Sequence, residues 1–367
     1  MADFHEPKYL EVQSYLLDQI QRGLLLPGQK APSENELAAL FHISRLTARH
    51  ALTLLVQNGL LQRQQGRGTF ICDRCRRIGV CMTYVDSYIF PDILRGIDAA
   101  LRQNQLALVL MSSNNETAQE QDALTHLLDQ GLDGLIWEPA RSALRPENDE
   151  ILAKVRQSRL PTVLINSQLP FPEAGQVLTA DASGMALLIN YLAGLGHRRF
   201  AGLFCRDLIQ GHRRKDGFLT ALKRRGFDPR DAVLMDFDSR DLTAGFPELV
   251  RELAVKIQKS GSTALCCYND QVAFHCYQEL THLGLSIPGD LSLTGFDAVE
   301  LLSRGSDPAG LLKGLTTVTH PGARLGREAA NMLVHLMQDV YDEKGPILEM
   351  PVEFISGTST APCGRSD

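Results

Sequence analysis

From Arg77 onward, short apolar runs alternate with helical segments, and this alternation limits the possible folds more than any other feature of the chain. Arg77–Met82 reads as a strand, 91–104 as a helix, Ala107–Ser112 as a strand, Thr117–Asp129 as a helix and Gly134–Trp137 as a strand. The pattern restarts at 200–204, with a helix at 211–225, a strand at 264–268, a helix at 270–283 and a strand at 291–295. Strands that alternate with helices of about ten residues or more pair in parallel, because each crossover helix returns the chain to the same end of the sheet. The restart makes two such lobes and hence an α/β two-lobed clamp. Ligands of open parallel sheets bind beyond the carboxyl ends of the strands, and a cleft between two lobes is a natural place for one.

The first 71 residues obey a different rule. Tyr9, Val12, Leu16 and Ile20 recur at spacings of three and four, one stripe of a helix that Gly23 and Pro27-Gly28 end. Ser33 and Glu36 form a capping-box pattern that opens a second, short helix. Ser44 is the N-cap of a third, which ends near Asn58-Gly59. Two short helices with a tight turn between them predict a helix-turn-helix. Two short strands at 60–65 and 69–71, joined by Gly66-Arg67-Gly68, add a wing. The segment is therefore a winged helix-turn-helix, mostly α with a small β wing. On the third helix Ala48, Ala51, Leu52 and Leu55 share one face, while Leu46, Arg49, His50 and Thr53 lie opposite, with Arg45 at the flank. An exposed surface of that kind suits a major groove: arginine bonds guanine edges and an apolar side chain meets a thymine methyl. Arg67 at the wing tip can reach a phosphate or the minor groove.

Charge supports the division. Residues 42–77 hold seven arginines against one acid, Asp73, so this segment carries +6 and the remainder of a chain of net charge −6 carries −12. A basic block on an acidic body marks a local polyanion contact. At 367 residues, 44% hydrophobic and 22% charged, the chain has the composition of a globular protein of two or three domains. Its apolar runs are too short to cross a bilayer, and the acid-containing N-terminus is not a secretory signal, so the expected compartment is the cytoplasm, with no membrane partner. The eight cysteines are scattered and expected as thiols; Cys72-x-x-Cys75 has no second pair beside it to complete a tetrahedral zinc site. No metal or cofactor is expected. A GxxxxGK[ST] phosphate loop is absent and no paired carboxylates emerge, which disfavours an enzyme.

The stretch PGQKAPSENELAALFHISRLTARHALTLLVQNGLLQRQQGRGTFI resembles the GntR family of winged-helix regulators. The body resembles the effector-binding domain of the LacI/GalR family, related to periplasmic sugar-binding proteins, through RRIGV, ILRGIDAAL, GLDGLIWEP, GHRRFAGLF, RRKDGF, CCYNDQVA, IPGDLSLTGFD and LTTVTHP. The pairing is similar to that of the AraR-type arabinose repressors, as are TYVDSYIFPDILRGID and DGLIWEPARSAL. The resemblance implies a GntR-type DNA-binding domain over 1–71, a linker over 72–77, and a LacI/GalR-type sugar-binding and dimerisation domain over 78–361. It implies DNA contacts from Asn35, Ser44, Arg45, Leu46, Thr47, Arg49, His50, Gln65, Gly66 and Arg67. Asn35 stands where the family usually carries arginine, and an amide can read adenine instead.

A sugar needs hydrogen-bonding groups for its hydroxyls and a flat apolar surface for its C–H face. The resemblance implies that Tyr88 and Phe90 face the ligand, although either ring could equally be core. Arg214 stands at the family's sugar-binding arginine, and Asp297 at a carboxylate that accepts from hydroxyls. Asn269 offers an amide, with Asp270 read as the cap of the next helix, and Asn166 stands where aspartate is commoner. Glu138 is read as a polar contact or a structural group, and His320, at a lobe crossover, as hinge packing before ligand contact. Trp137 is read as core before stacking surface, and Arg213 and Lys215 as solvated helix charges. The function expected is a transcriptional repressor that acts as a homodimer on a pseudo-palindromic operator. A monosaccharide effector, L-arabinose or otherwise another pentose or small hexose, would lower its operator affinity.

Overall fold

A computed structural model describes residues 7–57, 59–72, 76–86, 88–145, 149–299, 314–338 and 344–364. The chain divides into two compact units at Arg76/Arg77. Of the stretch read as a linker, Asp73, Arg74 and Cys75 lie outside the described residues, and so does half of the Cys72-x-x-Cys75 pair.

The first unit is built from α1 (Lys8–Gln21), α2 (Glu34–Phe41), α3 (Arg45–Gln57), β1 (Leu61–Gln64) and β2 (Gly68–Ile71). The capping box forms: the Ser33 hydroxyl accepts from the Glu36 N–H and the Glu36 carboxylate from the Ser33 N–H. Ser44 caps α3, accepting from the Thr47 N–H at 3.0 Å. β1 and β2 pair antiparallel from Leu61↔Ile71 to Gln64↔Gly68, so Gly68 belongs to the strand and not to the turn. Val12, Leu16, Leu37, Ala48, Ala51, Leu52, Leu55, Leu61 and Ile71 form the core, one face of each helix closed by the wing.

The second unit begins with a parallel lobe: β3 (Arg77–Met82), α4 (Phe90–Gln103), β4 (Ala107–Ser112), α5 (Thr117–Asp129), β5 (Gly134–Trp137), α6 (Glu150–Gln157), β6 (Thr162–Ile165) and β7 (Gly175–Thr179). The chain then enters a second lobe of α7 (Asp181–Gly194), β8 (Phe200–Cys205), α8 (Ile209–Arg224), β9 (Val233–Phe237), α9 (Asp241–Ala244), α10 (Phe246–Ser260), β10 (Ala264–Cys267), α11 (Asp270–His282) and β11 (Ser292–Thr294). Next come β12 (Thr317–Val318), α12 (Gly322–Gln338), β13 (Ile347–Met350) and β14 (Phe354–Ile355). The lobes are not consecutive in sequence. The first sheet runs β13-β7-β6-β5-β3-β4 and takes an edge strand from the end of the chain, while the second runs β11-β10-β8-β9. β12 pairs antiparallel with β14, so the chain passes between the lobes after β7, after β12 and again after β13.

Central strands are apolar on both faces because helices cover both sides of each sheet. Ile78, Val80, Cys81 and Met82 of β3 are wholly buried. Trp137 is core, with its indole N–H donated to the buried Glu120 carboxylate at 2.9 Å. The join between α4 and α12 depends on glycine. A methyl at Gly96 would stand 2.0 Å from the Ala323 carbonyl oxygen, and one at Gly326 would stand 2.0 Å from the Ile93 carbonyl oxygen. The two backbones touch through paired small residues. Gly326→Ala is therefore expected to cost about 1–3 kcal/mol of stability, the range for overpacking. Thermal unfolding checks this; an unaltered melting temperature would contradict the contact.

Candidate functional site

In the first unit, the exposed edge of α3 and the wing carry the predicted DNA contacts. Asn35, Ser44, Arg45, Leu46, Arg49, His50, Gln65, Gly66 and Arg67 are all exposed, Leu46 at 73%. Thr47 is half-buried and, with Ser44, is occupied in the helix cap, their hydroxyls 2.8 Å apart. His50 packs edge-on to Tyr9 of α1 with ring centroids 4.9 Å apart. Arg67 lies over the Phe70 ring. Sequence reasoning missed Glu34. Its carboxylate accepts from Arg45 Nε at 3.0 Å and from Arg49 at 2.9 and 3.1 Å, and Arg63 lies 3.9 Å away. The bonds from Arg49 and Arg45 hold the Glu34 carboxyl below its ordinary range. One acid at the start of α2 thus spaces the guanidinium groups of α3, a relation between two helices that spacing along the chain cannot reveal.

In the second unit, a cavity of about 250 Å3 lies between the lobes. Tyr88, Phe90, Glu138, Asn166, Arg214, Asn269, Asp297 and His320 all line it. The parallel topology explains their convergence. Glu138 follows β5, Asn166 follows β6, Asn269 follows β10 and Asp297 lies beyond β11, each past the carboxyl end of a strand. Four lining residues hold positive φ: Tyr88 at 58°, Asn115 at 56°, Asn166 at 52° and Asp297 at 97°. Asparagine and aspartate tolerate this region, but tyrosine does so only where its surroundings hold it. Tyr88 is held by its hydroxyl, which donates to Asp297 Oδ2 at 2.8 Å.

Arg214 is the centre of the charge arrangement. It is 3% exposed and donates to Asp181 Oδ1 at 2.8 Å, to the Tyr268 carbonyl at 2.7 Å, and to both oxygens of Asp297 at 2.9 and 3.3 Å. Its guanidinium carbon stands 3.7 Å from the Phe296 ring centroid and 4.8 Å from that of Tyr268. Burial opposes the charge of Arg214, but Asp297 and Asp181 outweigh it and its pKa rises. Burial lifts the Asp181 carboxyl to about 6 against the pull of Arg214. Glu138 is also raised by burial, while Thr83 donates to it through its N–H and hydroxyl and Asn166 through its amide at 3.2 Å. Burial lowers His320 to about 4, so its ring is neutral near pH 7. Phe90 serves as both core and wall, with its ring centroid 5.4 Å from that of Tyr84. Thr83, Asn115, Ser142, Ser167, Gln210 and Ser239 also line the cavity and were not foreseen, because nothing in their sequence spacing sets them apart from ordinary loop residues.

One expectation needs correction. Asn269, not Asp270, caps α11, accepting from the Val272 N–H at 2.9 Å. Asp270 is buried and accepts from the Thr317 hydroxyl at 2.7 Å and the Val299 N–H at 3.0 Å, since its side chain turns toward the crossing strands. Of the helix charges, Lys215 is paired with Asp236 at 2.7 Å.

Polar groups also tie the lobes together across the cleft. Arg141 donates to both Asp238 oxygens at 3.0 and 2.7 Å and approaches Asp207 at 3.3 Å. Asn115 donates to the Ser239 hydroxyl at 2.9 Å, and Arg240 pairs with Glu116 at 2.6 Å. Hydrogen bonding from Arg141 draws the Asp238 carboxyl down to about 2.

Residues 8–71 match the family of bacterial regulatory proteins of the gntR family, and residues 189–360 match a periplasmic binding protein-like domain. The arabinose metabolism transcriptional repressor of Geobacillus stearothermophilus is 34% identical over 362 residues, covering 96% of this chain and 98% of that protein. The chain belongs to the arabinose metabolism transcriptional repressor family. The repressor of that name from Halalkalibacterium halodurans is 31% identical, covering 91% of this chain and 90% of its own. A LacI family transcriptional regulator from Enterococcus faecium, solved with bound ribose, has a TM-score of 0.63 and 26% identity, covering 78% of this chain and 100% of that one. The members of this family are DNA-binding regulators and not enzymes. Among the described residues no helix is long and apolar enough to cross a membrane, and no group of three or more His, Cys, Asp or Glu side chains could hold a metal ion.

Asp270 yields a pH prediction. Burial raises its carboxyl from an ordinary 3.8 to about 7, so the folded chain keeps a proton that the unfolded chain releases. Stability accordingly falls as the pH rises from about 4 to about 7, and Asp181 adds the same sense up to about 6. Asp270→Asn can give its amide to the Thr317 hydroxyl and its oxygen to the Val299 N–H, so it is expected to flatten that slope. Denaturant unfolding across this range checks it; a slope equal to the wild type would refute the assignment.

Proposed function

We propose that this repressor binds a neutral monosaccharide, L-arabinose, between its two lobes, and that binding lowers its affinity for operator DNA. The observation that carries the reading is the cavity itself: eight polar and aromatic side chains from both lobes meet around it, with Arg214 fixed against two carboxylates. Glu138, Asn166, Asn269 and Asp297 suit hydroxyl groups, and Tyr88 and Phe90 suit the C–H face of a sugar ring. Among the described lining residues the one guanidinium is already paired with Asp181 and Asp297, which disfavours a phosphorylated or acidic sugar. The choice of L-arabinose over another pentose or small hexose is supported by the names of the relatives; the ribose held by the Enterococcus faecium regulator supports a pentose.

In this reading each subunit of a homodimer offers α3 and the wing to one half-site of a pseudo-palindromic operator. Asn35, Arg45, Leu46, Arg49, His50, Gln65, Gly66 and Arg67 make the contacts, while Ser44 and Thr47 set the start of the recognition helix. Residues 1–71 bind DNA and 78–361 bind sugar and dimerise. Sugar joins the lobes, and its unequal affinity for the two arrangements is the coupling free energy that DNA binding feels. His320 takes a hinge role between β12 and α12, its backbone N–H donating to the Asp297 carbonyl at 3.0 Å.

Calorimetric titration tests the effector. L-arabinose is expected to bind, with D-xylose, D-ribose, D-galactose, D-fucose and an aldopentose 5-phosphate weaker or silent. Absence of binding by every one of them would remove the sugar reading. Arg45→Ala and Arg49→Ala are expected to weaken operator binding about tenfold or more, the scale of a lost bidentate contact. Mobility shifts measure that loss, and the sugar titration of these variants should match the wild type. Operator binding unaffected in both would remove α3 from the interface.

A further inference from the structure

We infer that Ser167 and Gln210, an uncharged pair drawn from opposite lobes, set which sugar this cavity prefers. The inference rests on the sugar-binding reading above and deepens it. The charged groups have their hydrogen bonds already. Arg214 is engaged by Asp181, Asp297 and the Tyr268 carbonyl. Asp297 also accepts from Tyr88, and each oxygen of Glu138 already accepts at least one bond, one from Thr83 and the other from Asn166. Whatever the ligand, these bonds hold the walls of the cavity in shape.

Ser167 and Gln210 are different. The Ser167 hydroxyl and the Gln210 side-chain oxygen are buried and have no hydrogen-bond partner among the described residues. Both residues line the cavity. Ser167 is 1% exposed and follows β6 in the first lobe. Gln210 belongs to α8 in the second lobe, four positions before Arg214 and so on the same face of the helix. Of five such orphaned atoms among the described residues, three belong to residues of this cavity wall. The third, His320 Nδ1, lies 3.6 Å from where a Gly322 side chain would begin, on the α12 side of its ring, and is left out of the pair.

A buried polar atom without a partner costs free energy until something satisfies it. A hydroxyl of the correct configuration recovers that cost at each lobe, whereas an epimer that turns the hydroxyl away leaves the atom unmet. Sites of this kind discriminate strongly, because the wrong ligand strands a polar group that the right one satisfies. The serine hydroxyl donates and accepts, and the glutamine amide does the same through separate atoms, so both can follow the orientation of one hydroxyl.

The test uses the full-length protein and two variants that keep side-chain volume, Ser167→Ala and Gln210→Met. Titration with L-arabinose, D-xylose and D-ribose gives the affinity ratios, and thermal unfolding without sugar gives the stability. Each variant is expected to bind L-arabinose about tenfold more weakly, with its preference over D-xylose and D-ribose reduced toward unity. The melting temperature should be unchanged or higher, because the Ser167 hydroxyl and the Gln210 side-chain oxygen have no hydrogen-bond partner among the described residues. A merely structural role would lower the melting temperature and leave the ratios alone; that result, or unchanged ratios in both variants while the wild type binds L-arabinose, overturns the inference. A wild type that binds no pentose overturns the sugar reading and this inference with it.

Discussion

The body of the molecule is organised around a guanidinium held between two carboxylates. Arg214 projects from α8, Asp181 opens α7 immediately after the first passage between lobes, and Asp297 lies beyond β11 near the second. All three are nearly fully buried. Removing water from these charges is costly, and only their mutual pairing, with the Tyr268 carbonyl and the flanking Phe296 and Tyr268 rings, offsets it. Loss of one partner would leave the others as uncompensated buried charges, commonly a penalty of about 3–5 kcal/mol. The cluster therefore fixes the wall of the cavity and the crossing strands together.

That constraint has a consequence for recognition. Charges neutralised within the chain have little left for an anionic ligand. The same logic divides the lining into groups that maintain shape and groups that await a partner. Across the cleft, Arg141 with Asp238 and Asn115 with Ser239 join the lobes by bonds that would have to break if the lobes separated. In the winged helix a similar economy operates at smaller scale: one carboxylate, Glu34, positions two exposed arginines on the neighbouring helix.

Much of this was legible in the sequence because the relevant signals are local. The capping box at Ser33 and Glu36, the stripe of Ala48, Ala51, Leu52 and Leu55, and β3, β4, α5 and β5 all follow from spacing within a dozen residues or so. The convergence of the cavity residues was reached through the resemblance, and the fold agrees with it: Glu138, Asn166, Asn269 and Asp297 lie past the carboxyl ends of parallel strands. The Asn269 cap was misread because asparagine and aspartate are nearly equal as caps, and only the packing of Asp270 against Thr317 separates them.

By itself, then, the sequence determined the two kinds of unit and the face that α3 presents, because hydrophobic period and capping chemistry are written residue by residue, while the cleft residues were reached through the resemblance to the LacI/GalR family. Only the tertiary structure decided that α12 and β13 return to the first lobe, that Glu34 spaces the arginines, and that the Ser167 hydroxyl and the Gln210 side-chain oxygen are left without partners among the described residues. Those facts depend on which distant segments touch. The close approach at Gly96 and Gly326 shows why: two glycines far apart in the chain become meaningful only when their helices meet.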